Sequence, residues 1–435
     1  LTKTFASDSN RKTWTWSAWI KRTGLGGTQT LMTQVDAWNG NGNAGFYIVG
    51  DQLTSYNFTS SLNAGTDSYN RPSMFLRDVN GWYHIVVRLD TTQSTASDRC
   101  RWYVNGEQLT DFAYANYPSL DQDCNFNGGD PHGIGSHTAG ANYFDGVMSY
   151  INFSDGYSYA PTVFGSTDST TGEWTINTNP TFTLGTHGFT ILKNGNTITD
   201  QSTNSNNWSL GGGTLTNTLD CPANVFATWN PLSALSTPPT FSNGNTTAAV
   251  PTSGGAFRST LAASSGKYYC EVKVTSLNNA AVGIQPIDSA YNVSIFGDTS
   301  GIGLYGTNGE VYKNGSNIGA VASVSNNDII GMAIDLDNNN IYFSVNGQYA
   351  SGLSGSWNQS FGSAYAVAIN SGHAYTIAGV NGSSGTTSNI SINFGNGTFG
   401  TSAVTSAGTP GSTPGTFEYD VPSGYQPLST KGLNA

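Results

Sequence analysis

His84-Ile-Val-Val-Arg-Leu-Asp90, followed by Cys100-Arg-Trp-Tyr-Val-Asn-Gly106, decides how this chain folds. Ile85, Val87 and Leu89 share one face of an extended segment while His84, Arg88 and Asp90 share the other, the period of two that a half-buried strand requires. Cys100, Trp102 and Val104 alternate with Arg101 and Tyr103, and the run closes on Asn105-Gly106, whose tolerance of positive φ suits a tight hairpin. The arrangement recurs in the second half. Ile330, Met332, Ile334 and Leu336 alternate up to Asp337-Asn-Asn-Asn340, and Ile341, Phe343 and Val345 return to Asn346-Gly347-Gln348. Neither stretch has helical spacing, so the repeat predicts two antiparallel sandwiches of similar build.

Composition agrees. Charged residues make up 10% of the 435 residues, against about 25% in ordinary globular chains. Gly, Ser, Thr and Asn stand in their place, a mixture that builds short strands and turns. With 16 Lys and Arg against 27 Asp and Glu, the net charge is −11, which repels phosphate backbones and argues against nucleic-acid binding. No apolar run reaches the about 18 residues that a membrane-spanning helix needs, so no membrane insertion is expected. The opening Leu1-Thr-Lys-Thr4 has neither Met nor a signal-peptide core, and the expectation is a soluble chain that begins after a missing or removed segment. Cys100, Cys124, Cys221 and Cys270 allow three disulfide pairings, between which the sequence does not choose.

The expected organisation is a jelly roll over 1–155, a connector with short strands over 156–225, a second β-sandwich over 226–400, and a Gly/Pro/Ser-rich linker with a C-terminal segment over 401–435. Thr405-Ser-Ala-Gly-Thr-Pro-Gly-Ser-Thr-Pro-Gly415 is too poor in apolar residues to order itself independently. The fold class expected is all-β, two antiparallel sandwiches joined by a strand-containing connector.

Two family resemblances sharpen this. Lys12-Thr-Trp-Thr-Trp-Ser-Ala-Trp-Ile-Lys21, Gly81-Trp-Tyr-His-Ile-Val-Val-Arg88 and Trp102-Tyr-Val-Asn-Gly106 resemble a laminin-G or concanavalin-A-like jelly roll over residues 1–155. Gly266-Lys-Tyr-Tyr-Cys-Glu-Val272, Val282-Gly-Ile284, Gly301-Ile-Gly-Leu-Tyr305 and Ile334-Asp-Leu-Asp337 through Phe343-Ser-Val-Asn-Gly347 are similar to a SPRY domain, over about 226–396. The order of the whole chain resembles virion proteins of tailed phages, especially of marine and cyanobacterial hosts. It is carried by Ser9-Asn-Arg-Lys-Thr-Trp-Thr-Trp16, Tyr143-Phe-Asp-Gly146, Ile151-Asn-Phe-Ser-Asp-Gly156, Phe164-Gly-Ser-Thr-Asp168, Thr171-Gly-Glu-Trp174, Trp229-Asn-Pro-Leu232, Phe241-Ser-Asn-Gly-Asn245 and Val421-Pro-Ser-Gly-Tyr-Gln-Pro-Leu428.

The resemblance implies an external tail or capsid fibre on the virion surface. Its implied partners are other virion proteins, further copies of itself and a host cell-surface glycan or receptor. No heptad or other trimerisation signal accompanies this. A decoration or filament subunit without a host ligand, and a secreted bacterial adhesin, remain alternatives.

Jelly rolls also carry glycosidases, which need a pair of carboxyl groups about 5–9.5 Å apart. The glutamates are Glu107, Glu173, Glu271, Glu310 and Glu418, no two adjacent in sequence, and the Glu-x-Asp-x-x-Glu strand pattern of sandwich-fold glucanases is absent. Aspartate pairs assembled from distant strands stay open as a route to a glycosidase, but no enzyme is expected. Gly301-Ile-Gly-Leu-Tyr-Gly306 lacks the following helix of a dinucleotide site and reads as turn glycine between strands. His132 and His137, with Asp130, lack a recognised metal spacing. Asp121, Asp123, Asn125 and Asn127 alternate as a loop does when it offers oxygens to Ca²⁺, although Asx side chains that bond their own turn backbone are the more common use of such residues. No cofactor is otherwise expected. Trp38, Tyr291, Tyr305 and Trp357 lie in or beside polar loops, where aromatic faces can stack on sugar rings, and are the candidate ligand-binding residues.

Overall fold

The computed structural model describes the chain outside residues 36–42, 57–68, 138–139, 234–237, 252–255, 277–279, 290–299, 382–386 and 412. It divides into two compact units, Leu1–Leu215 and Thr216–Ala435. No helix among the described residues is long and apolar enough to cross a membrane.

In the first unit, a seven-stranded sheet runs edge to edge as Thr2–Thr4, Pro131–Ile134, Thr28–Val35, Asn43–Val49, Gln52–Tyr56, Asn70–Pro72 and Phe112–Ala115. A six-stranded sheet runs as Phe189–Ile191, Gly146–Asp155, Thr13–Arg22, Trp82–Asp90, Cys100–Val104 and Glu107–Gln108. Pairing between these strands is antiparallel, and Trp14, Trp16, Phe46, Ile85, Val87, Trp102 and Phe126 fill the space between the sheets. Each such side chain contributes about 1.5–3 kcal/mol through removal of apolar surface from water.

The strand Thr13–Arg22 is buried on both faces, from Trp14 to its end. The reason lies in residues 156–215, the larger part of the stretch 156–225 expected as a connector. They carry the short strands Gly165–Thr167, Trp174–Ile176 and Phe189–Ile191. They also roof the outer face of the six-stranded sheet: Phe164, Tyr159, Val163 and Phe182 pack on Val86 and Tyr103. Phe189–Ile191 extends that sheet beside Gly146–Asp155, and Trp208 joins the inner core.

The second unit repeats the plan. One sheet runs as Thr240–Ser242, Thr247–Val250, Ser388–Asn393, Lys267–Ser276, Ile329–Asp335, Asn340–Val345, Gln348–Ala350 and Trp357–Gln359, with Val367–Ala368 and Gln426–Pro427 paired to it off this path. The facing sheet runs as Phe257–Ala263, Tyr375–Asn381, Ala280–Pro286, Ile302–Tyr305, Glu310–Lys313 and Ser316–Ala320. Gly303 of the G-x-G-x-x-G stretch therefore lies within a strand, opposite Gly283, and not in the turn expected of it. A Cβ at Gly283 would collide with the Ile302 carbonyl, so close strand approach explains the glycine.

The C-terminal segment roofs this unit. Gln426–Pro427 pairs in parallel with Tyr268 and Tyr269, and Phe417, Val421 and Tyr425 are buried against Tyr269, Ala333 and Tyr349. The Gly/Pro/Ser-rich stretch before it orders by leaning on its neighbour. Gly408 N donates to Phe417 O, Thr409 N to the Asp420 carboxylate, and Thr413 to Gln426 Oε1.

The repeat extends to individual hydrogen bonds. Asn105 and Gly106 have φ of 48° and 83°, and Asn346 and Gly347 have 50° and 79°, as a two-residue hairpin with both central residues at positive φ requires. Asn105 Oδ1 accepts from His84 N while Asn105 N donates to His84 O, and Asn346 makes the same pair of bonds with Ile329. Counted from these hairpins, Ser17 opposite Val86 and Glu271 opposite Gly331 hold the same position in the two sheets.

Candidate ligand-binding face

Of the aromatic candidates, Trp38 and Tyr291 lie outside the described residues. The other two are held in place. Trp357 donates its indole N–H to Ala322 O at 2.9 Å and packs on the second core. The Tyr305 ring meets Tyr312 edge-on at 5.3 Å, and burial pushes its hydroxyl up to about 12.

The Ca²⁺ candidates point different ways. Asp121 and Asp123 are exposed, and Asn125 Oδ1 accepts from Arg11. Asn127 is turned inward, donating to Asp155 Oδ1 at 2.6 Å and to Asn10 O, while its Oδ1 meets His187 Nδ1. The structure does not bring the four oxygens into one cage, because the inward network, completed by Ser9 and His187 N on Asp155, uses Asn127 to pin the N-terminal segment. His132 is likewise buried, its Nδ1 on Asp130 O and its ring against Phe5 and Phe126, and desolvation lowers it to about 3. Among the described residues no three His, Cys, Asp or Glu side chains group as metal ligands. All four cysteines are free, and burial pushes Cys100 up to about 12.

Two arrangements mimic catalytic machinery. Ser17 Oγ lies 2.9 Å from His84 Nε2, but Trp174 Nε1–H donates to His84 Nδ1 at 2.9 Å, which makes Nδ1 the acceptor and leaves the proton on Nε2. The imidazole therefore donates to Ser17 and has no lone pair with which to activate it. Burial also lowers His84 to about 3. Glu271 and Glu418, distant in sequence, do come together, and desolvation raises Glu271 to about 7. That is the pH range of a general acid. Glu271 is nevertheless fully buried beneath the C-terminal segment, beyond the reach of a polymer chain.

A run of tyrosines lies on the outer side of the seven-stranded sheet. Phe46 and Ile48 face the core, so Tyr47 between them faces out. Tyr56 lies one strand further, and Tyr69 next to it. Tyr114 stands opposite Arg71 on the edge strand. The four rings form a continuous run with centroid separations of 5.6, 5.0 and 5.0 Å. Exposure rises along it from 5% at Tyr47 to 62% at Tyr114. Desolvation raises the Tyr47 and Tyr56 hydroxyls, while the Arg71 guanidinium, anchored on Val49 O, opposes the shift at Tyr56. Amphipathic rings, phenolic hydroxyls and one guanidinium on a rigid sheet suit a polyhydroxylated ligand: faces for C–H surfaces, hydroxyls and N–H groups for its oxygens. Sequence reasoning passed this run over because its members sit on four different strands or strand ends, and their adjacency depends on register.

Residues 2–163 match the family described as the concanavalin A-like lectin/glucanases superfamily, Laminin_G_3. Comparison with curated proteins gives no match. Among solved structures, the SPRY domain of human HERC1 is 18% identical, with a TM-score of 0.30, over 38% of this chain and 96% of that one. The TRIM65 PSpry domain is 16% identical, with a TM-score of 0.30, over 38% and 91%. The heptameric SAP-like pentraxin from Limulus polyphemus is 15% identical, with a TM-score of 0.27, over 37% and 70%. The first unit thus carries a laminin-G-like, concanavalin-A-like fold, within a chain whose described residues are nearly all-β, with only short helical turns besides.

Proposed function

We propose that this protein is a non-enzymatic binding component of the outer surface of a tailed-phage particle, assembled with other virion proteins and further copies of itself, and that it contacts a glycan on the host cell. The observation that supports the binding role is the Tyr47–Tyr56–Tyr69–Tyr114 run, which ends in a strongly exposed ring on a rigid sheet edge. The phage setting rests on the order of sequence motifs across the chain. The non-enzymatic reading is supported by the His84 tautomer, which turns an N–H and no lone pair towards Ser17, and by the inaccessible carboxyl of Glu271.

The test is adsorption. The purified chain should bind host cells and block phage adsorption in a dose-dependent way, and Tyr114→Ala should weaken that binding at least tenfold while leaving the fold intact. Absence of binding at high concentration to an infectable host would instead favour a decoration or filament subunit that contacts only its neighbours in the particle.

A further inference from the structure

The second unit contains a feature that the binding proposal does not use. Glu271 is fully buried, and among the described residues no ion pair involves it. Its carboxyl oxygens accept from Glu418 N and Tyr419 N, each at 2.8 Å, and from the Tyr269 hydroxyl at 3.2 Å. The two backbone donors belong to residues 416–428, the segment that covers Tyr269, Tyr349 and Ala333 with Phe417, Val421 and Tyr425. The Tyr419 ring rests on Gly347, where a Cβ would come within 2.6 Å of it. On the other side of Glu271, Asn393 donates to Thr416 O and so holds the start of the same segment.

We propose that residues 416–428 form a releasable strap over a tyrosine-lined face of the sheet, and that the proton on Glu271 decides how firmly the strap is held.

The groups around Glu271 fix the direction of the effect. On its own strand stand Tyr269, Cys270 and Lys273; across the sheet, Gly331 and Asn393 carry no charge; Tyr349 approaches from the edge; the strap brings Glu418 and Tyr419, and Asp328 faces Tyr419. Glu418 is a like charge, and burial penalises the ionised carboxyl more than its three hydrogen bonds favour it. With the strap closed Glu271 therefore holds its proton up to about pH 7, whereas a solvated carboxyl loses it near pH 4.5. Closure binds the proton, so the strap is firmest below the ordinary carboxylate range and loosens as pH rises through neutrality. The proton leaves to solvent, and the carboxylate that remains sits beside Glu418.

Hydrogen exchange of the full chain between pH 6 and pH 9, corrected for the intrinsic rate, tests this. Protection of amides in 416–428 should fall about tenfold over that range, the loss expected for a carboxyl shifted from about 4.5 to about 7, while the core strand Ile329–Asp335 stays protected. Glu271→Gln, which keeps an acceptor oxygen without the charge, should abolish the pH dependence. A wild-type strap equally protected at both pH values overturns the proposal even should the variant fail to fold. So does a folded Glu271→Gln protein that keeps the wild-type slope. Neither result bears on host binding by the first unit.

Discussion

The two units solve one problem with different chemistry. Each has an outer sheet face buried beneath the segment that follows its sandwich, and each roof sets an aromatic ring on the glycine of the Asn-Gly hairpin, Trp174 on Gly106 and Tyr419 on Gly347. At matching positions in the two sheets stand Ser17 and Glu271. In the first unit the roof closes on Ser17 through the neutral His84, which stacks on Trp19 and accepts from Trp174. In the second it closes on a carboxyl that is neutral only when protonated. A buried hydrogen-bonding group is stabilising where its uncharged form makes the bonds, and it becomes a switch where burial moves its titration into the working pH range.

The largest expected effect separates the units by acid. His84 and His132 both titrate near 3 when folded and near 6.5 when unfolded. Their contribution is therefore complete above pH 6.5 and is lost as pH falls towards 3. Lowering pH from 7 to 5 should cost the first unit on the order of 2 kcal/mol per histidine, seen as a falling midpoint in denaturant, whereas the Glu271 strap tightens over the same range. A first unit equally stable at pH 5 and 7 would mean that these rings protonate in place. Next, Trp174→Ala should cost about 3 kcal/mol, because it removes the ring over Gly106 and strips His84 of its donor. The denaturation midpoint should fall in the first unit alone.

Asn105→Ala and Asn346→Ala test whether the hairpins are equivalent. Each loses a side-chain acceptor and places alanine at positive φ, and each should cost about 1–2 kcal/mol in its own unit. Unequal costs would break the parallel between the sandwiches. The smallest effect on stability should come from Tyr114→Ala, within about 0.5 kcal/mol because the ring is already exposed. Its binding loss should be the largest of the set, so calorimetry and adsorption must disagree for this variant.

Much of this was legible in the sequence and some was not, for physical reasons. The alternation in 84–90 and 330–336 and the Asn-Gly pairs declared sandwich and hairpin, because strand period and turn chemistry are local. Residues 156–225 read as a connector, and 401–435 as a linker with a C-terminal segment, because Gly, Asn, Thr and Pro cluster in the first and Gly, Pro and Ser in the second. What orders them is a sheet face supplied from elsewhere, which local composition does not display. The spacing at 121–127 left Ca²⁺ and Asx-turn readings side by side, since alternation in a loop does not say which side chain turns inward, as Asn127 does. The tyrosine run needed register, and Glu271 looked like any strand glutamate until the strap lay over it.

The most direct measurement follows both roofs in one sample: hydrogen exchange of the intact protein at pH 5, 7 and 9, comparing the amides of Thr13–Arg22 with those of 416–428. Opposite trends are expected, with protection in Thr13–Arg22 falling towards pH 5 and protection in the strap falling towards pH 9. Parallel trends, or two flat profiles, would contradict the claim that one architecture has been closed by two chemistries.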